Sequence, residues 1–205
     1  MRKLFVCIAI ALITCFFLTA QEETVNSNGY GSLRWGCSIS EFSIEYPDYV
    51  IMRKSDWNFY HSEVFDLNFD QYIENGVTII SDTYNNNIIH NSCKIFFFYN
   101  DQLYKVGVFY NGIRPNQFNT LKELIKDNYG IFDKDILEEK EIIWGMKEII
   151  NFAYRFVSAE LIVILKTSIN NANNDSYALA LYYNPILEDH INKILINQEK
   201  NKFKL

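Results

Sequence analysis

The stretch 94–110 constrains this chain most. Lys94-Ile95-Phe96-Phe97-Phe98-Tyr99 runs into Asn100-Asp101-Gln102 and then into the apolar residues 103–110. Two β-branched and aromatic runs separated by turn-forming residues predict a hairpin. A hairpin alone is barely stable in water, so the chain must build further strands around it. The Phe96–Tyr99 run reads as a core strand, not as an exposed partner surface.

The flanking sequence supplies those strands and a few helices. Ser38-Ile39-Ser40-Glu41 is a capping box, in which the Ser38 hydroxyl takes a free backbone N–H and Glu41 reaches back. Ile39, Phe42 and Tyr46 share one helical face, and Pro47 ends the helix. Gly36 turns the strand-like Leu33-Arg34-Trp35 into this helix, with Trp35 as a core plug. Strands are predicted over 49–52, 57–65, 77–83 and 88–99. A second helix starts near Asn116, carries Phe118, Leu121, Leu124, Ile125 and Tyr129 as its apolar stripe, and stops at Gly130. After an acidic loop, strands are predicted over 141–144, 149–157, 160–167 and 177–183. Asn184-Pro185 opens a last helix with Leu187, Ile191, Ile194 and Leu195 facing inward, and 198–205 is a frayed tail. The expected fold is a single α+β domain over 33–197, an antiparallel sheet with helices on one face. A helix followed by strands occurs twice, which suggests two similar halves, 33–112 and 113–197.

The motifs Trp35-Gly36-x-Ser38-x-x-Glu41, Phe98-Tyr99 with Leu103, Leu121 to Tyr129-Gly130, and Trp144 resemble a loose class of bacterial envelope proteins that pair an export signal with a small α+β domain. A fainter likeness is to outer-membrane assembly lipoproteins of the SmpA/OmlA type. The resemblance implies an envelope role and an α+β fold. It carries no catalytic residues, because its motifs are turns, caps and core aromatics.

The N-terminus points the same way. Met1-Arg2-Lys3 is basic, 4–18 is almost wholly apolar, and Leu18-Thr19-Ala20 precedes the polar Gln21-Glu22-Glu23. That is the layout of a secretory signal cut between Ala20 and Gln21. Its apolar run falls short of the roughly 20 residues of a spanning helix. Leu12-Ile13-Thr14-Cys15 offers a rival lipobox, with Cys15 lipidated, although Phe16-Phe17-Leu18 would make an atypical tether. The expected location is the periplasm or cell envelope, with residues 21–32 as a polar tether and a membrane attachment only through Cys15.

Charge narrows the partners. Without Arg2 and Lys3, 17 of the 19 basic residues remain against 25 acidic ones, a net of about −8. Nucleic-acid binding draws its affinity from basic patches, so no nucleic-acid partner is expected. An envelope protein or a small molecule is.

Reactive constellations are scarce. His61, His90 and His190 stand in no zinc-binding spacing, and no cofactor motif occurs. Asp66-Leu67-Asn68-Phe69-Asp70 spaces oxygens like a calcium loop but lacks its glycine and its closing glutamate. Asp133, Asp135, Glu138, Glu139 and Glu141 read as a solvated acidic loop; a carboxylate-dependent hydrolase would need two of them across a cleft with divergent pKa values. Cys37 and Cys93 either form a disulfide closing a loop of about 57 residues, for roughly 4 kcal/mol, or stay as two thiols. The expected site list is therefore empty of catalytic and metal residues, and Trp35, Gly36, Ser38 and Glu41 are structural.

Overall fold

The structure, a computed structural model, describes residues 27–53, 69–82, 92–143, 146–170 and 176–202. The leader 1–20 with Cys15, the Ala20–Gln21 cut, the strand expected at 57–65 with His61, and Trp144 lie outside these residues.

Two short strands, β1 (Gly29–Tyr30) and β2 (Leu33–Arg34), form a hairpin that leads into helix α1 (Ile39–Glu45). Then come β3 (Val50–Ile51), helix α2 (Phe69–Glu74), β4 (Val77–Ser81), β5 (Ser92–Tyr99) and β6 (Gln102–Asn111). Helix α3 (Pro115–Tyr129) separates these from β7 (Lys134–Ile143), β8 (Met146–Ser158), β9 (Leu161–Asn170) and β10 (Ser176–Tyr183), and α4 (Pro185–Lys202) closes the order. Strands β3 to β10 make one eight-stranded antiparallel sheet in the order β3-β4-β5-β6-β10-β9-β8-β7. It is two four-stranded meanders joined edge to edge, with Val108 opposite Ala180 at the seam.

The α+β class and the antiparallel sheet follow the sequence. The helices, expected on one face, cover both. Strand β5 shows why: Ile95 and Phe97 join the core under α2 and α4, while Phe96 and Phe98 join the core under α1. Five consecutive apolar or aromatic side chains leave neither face fit for water, so both need cover. Beneath α4, Ile191 and Leu195 pack with Ile95, Phe97, Leu179 and Leu181. On the other face α3 lies on Val108, Ala153, Ala178 and Ala180, and those small side chains let Leu121 and Ile125 come close.

Local chemistry sets the element ends. The hairpin turn is two residues, with Asn100 at φ 49° and Asp101 at φ 61°, the left-handed pair that a two-residue turn between right-twisted strands requires. Gln102, counted with the turn in the sequence reading, instead pairs with Tyr99. Gly130 closes α3 at φ 92° and donates its N–H to Lys126 O at 2.8 Å. Asn184 Oδ1 accepts the Ile186 and Leu187 amides at 3.0 Å, which starts α4 with Pro185 at its first position.

Four segments differ from expectation, the first being helix α2, where no element was expected. Gly29-Tyr30, placed in the tether, is a strand, and the Tyr30 ring lies 4.9 Å from that of Tyr182. The acidic segment, read as a loop, is β7: its residues pair one for one with β8 from Lys134 to Glu141. Residues 198–202, read as frayed, continue α4.

Candidate functional site

Hydrogen bonds within the chain hold the opening motif in place. The Gly36 N–H donates to Leu103 O at 2.8 Å and Leu103 N–H returns to Cys37 O at 3.0 Å, so the motif is laced to the first residues of β6. Gly36 sits at φ 81°, where a side chain would be strained. Trp35 is half-buried between two core clusters and its Nε1 donates to Ser27 O at 3.2 Å. Ser38 Oγ accepts the Glu41 N–H at 3.2 Å, and Glu41 Oε2 accepts the Ser38 N–H at 2.7 Å. Those bonds hold the exposed Glu41 carboxyl below its ordinary pKa.

Cys37 and Cys93 are not bridged and lie on opposite faces of the sheet. Cys93 points with Ile95 and Phe97 toward α2 and α4; Cys37 packs with Phe42 and Phe96 under α1. Of the two alternatives open in the sequence, this geometry has the unbridged one. Burial, then the nearby Glu41 and Asp101, pushes the Cys37 thiol up to about 11, so almost none of it is nucleophilic thiolate near neutral pH.

The acidic strand is tied down by cations. Asp133 Oδ1 accepts from Arg155 Nη1 at 2.9 Å and its Oδ2 takes the Phe156 N–H at 2.7 Å, while Arg155 Nε reaches Tyr129 O at 3.0 Å. Asp135 is paired with Lys122 and bonded by Asn151 Nδ2 at 3.0 Å. Burial would raise the Asp135 pKa, but those two donors outweigh it and lower it. These carboxylates fasten α3 and the edge strand to the sheet. Among the described residues no three His, Cys, Asp or Glu side chains gather as a metal site would need, and no helix is long and apolar enough to cross a membrane.

Two features escaped the sequence reading. The first is Lys105 on β6, only 4% exposed, paired with Glu188 of α4 and donating to Tyr72 Oη at 3.1 Å. Its ammonium sits 4.9 Å from the Tyr72 ring centre, 5.5 Å from Phe97, 5.6 Å from Tyr104 and 6.0 Å from Tyr183. Burial alone would lower its pKa, yet the Glu188 carboxylate and Tyr72 raise it. A lysine held so firmly as ammonium is no nucleophile; it anchors α4. The lone charge inside an apolar strand was the signal available in the sequence.

The second is an open groove of about 300 Å³ between the end of β6 and α3. Ile113 and Leu121, both buried, and Leu124, 53% exposed, make its apolar lining. Tyr110, Asn111, Gln117 and Thr120 supply polar atoms, and Gly112 the backbone turn, at φ 65°. Leu124 was expected in the inward stripe, but it sits too far round the helix and opens at the groove instead. Tyr110 lies half under cover, and burial raises its hydroxyl pKa, so it stays neutral. The groove is at the lower size limit of small-molecule sites and has their usual makeup, an apolar bed with a few polar groups. Comparison with known protein families, with curated proteins and with solved structures finds no match to this chain.

Proposed function

We propose that the chain is an exported bacterial envelope protein whose α+β domain works by binding, and that the groove between β6 and α3 is where it binds. The groove is the observation that carries the reading. It lies between a strand end and a helix and is rimmed by an exposed leucine whose burial would be favourable. The secretory layout of residues 1–21 supports the location. The charged groups around the core, Lys105–Glu188, Asp133–Arg155 and Asp135–Lys122, are spent on holding helices and strands together. That use favours binding over a carboxylate-dependent hydrolase.

The test is a photoreactive residue at Leu124, introduced into the chain expressed in an envelope-bearing bacterial host, with Ile44 on α1 as the distant control. An adduct at 124, identified by mass and reduced several-fold by Thr120→Trp in the same chain, is expected. The intact mass of the same preparation reads the leader: a start at Gln21 supports export by simple cleavage, and a start at Cys15 with added acyl mass turns the reading into a lipid-anchored subunit. An unprocessed chain, or no adduct that Thr120→Trp diminishes, sinks the proposal.

A further inference from the structure

The groove's chemistry says what it would hold, given the reading above that it is the binding site. None of its eight lining residues is charged, although the chain carries 44 charged side chains and a net of −6. A charged guest would meet no counter-charge among the lining residues to offset whatever water it gave up. Two of the four polar side chains already hold a hydrogen bond. Gln117 Oε1 already accepts the Arg114 N–H at 2.9 Å, which leaves the Gln117 NH₂ as the donor on offer. The Thr120 hydroxyl already donates to Asn116 O at 3.0 Å, which leaves its lone pairs as the acceptor. Those two residues are three apart on α3, so donor and acceptor stand on one helical face. Beside them lie Leu121 and Leu124, an apolar bed.

We infer that the groove binds an uncharged, amphipathic small molecule with a compact apolar body and a neutral group that both accepts and donates, of the primary-amide kind. Its carbonyl oxygen accepts from Gln117 Nε2, its N–H donates to Thr120 Oγ1, and its apolar part lies on Ile113, Leu121 and Leu124.

Three probes of nearly one shape separate charge from size: benzamide, benzoate and benzamidinium. Each is titrated into the ¹⁵N-labelled chain while the amide signals of Gly112, Ile113 and Thr120 and the Gln117 side-chain NH₂ are followed. Benzamide is expected to shift these signals saturably, in the millimolar range typical of a fragment, and the two ions at least ten-fold more weakly. Gln117→Glu keeps the oxygen that caps Arg114 but removes the NH₂, so it should weaken benzamide several-fold and favour benzamidinium. An unchanged melting temperature shows that the variant is folded, and Gln117→Leu provides a second loss of the donor without adding charge.

Equal or stronger shifts from benzoate or benzamidinium on the unaltered chain overturn the neutral class while leaving the groove as a site. No groove shift with any probe, alongside a protein adduct at Leu124, means that the occupant is a partner's side chain; the small-molecule inference then fails and the binding reading survives. No shift and no adduct removes both.

Discussion

The Asp101 carboxylate accepts the Ile39 backbone N–H at 2.8 Å, across 62 residues of sequence. The turn of the β5–β6 hairpin thereby caps α1, alongside the helix's own Ser38–Glu41 box. Asp101 also occupies the turn at φ 61°, a position that glycine adopts without strain. Its two roles can be separated. Asp101→Gly should lose the cap alone, about 1 kcal/mol, with little harm to the turn. Asp101→Ala should lose the cap and strain the backbone as well, for about 2 kcal/mol. In urea denaturation the loss in Asp101→Gly reads the cap and the further loss in Asp101→Ala reads the strain; an unweakened Asp101→Gly would mean that the cap contributes nothing, and equal losses that the turn carries no strain.

The Lys105–Glu188 pair is the one to break from either side. Lys105→Met leaves a carboxylate beside a closed apolar wall and should cost about 3 kcal/mol. Adding Glu188→Leu should restore most of that loss, because the second change removes the unpaired charge. A double variant as weak as the single one would show that the pair contributes more than its own compensation.

Alkaline pH should weaken the fold. Lys105 has a folded-state pKa above its ordinary value, so its contribution is whole below about 10.4, the unfolded value, and is lost as pH rises through the folded one. Burial raises Tyr104 and Tyr182 well above the phenol range, and they act in the same direction from about pH 10 upward, since the unfolded chain ionises first. The urea midpoint should stay level from pH 7 to 8, slip slightly near 9, where the Cys37 thiol ionises first in the unfolded chain, and fall steeply above 10. A flat profile to pH 11 would contradict this.

Cys37 and Cys93 should both react with a thiol reagent once the chain is denatured without reductant, and reduction should add no mass. In the native chain at pH 8, Cys37 should react more slowly than an exposed thiol, because burial raises its pKa to about 11. A gain of 2 Da on reduction would refute the unbridged arrangement, and fast native labelling of Cys37 would refute its burial.

Gly29 has no room for a side chain: a Cβ there would lie 1.8 Å from Leu33 O. Gly29→Ala should open the β1–β2 hairpin and release Tyr30 from Tyr182, seen as altered near-UV dichroism and a drop in stability of roughly 2 kcal/mol. At Gly31, with open space but φ 58°, alanine should cost only about 1 kcal/mol and leave that signal intact.

Much of the fold is written locally. The Ser38 box, the left-handed turn after Tyr99, Gly130 behind α3 and Asn184-Pro185 before α4 each depend on a few neighbouring residues whose own hydrogen bonds and φ preferences act at short range. Such signals survive in any tertiary context. The acidic stretch misled because charge in an edge strand looks like charge in a loop; only pairing with β8 distinguishes them. Tyr30 looked like tether because its partners, Phe96 and Tyr182, are distant in sequence.

By itself, then, the sequence determined most of the helices and strands, the ends that carry caps or turns, and that the sheet is antiparallel. Tertiary structure alone decided that helices cover both faces, that Cys37 and Cys93 are held apart by the sheet, that Lys105 meets Glu188, and that Leu124 turns outward beside Gln117 and Thr120 to form a groove. The physical reason is range. Caps and turns are settled by atoms a few residues apart, whereas faces, ion pairs and grooves arise from side chains that meet only after the two meanders join at β6 and β10.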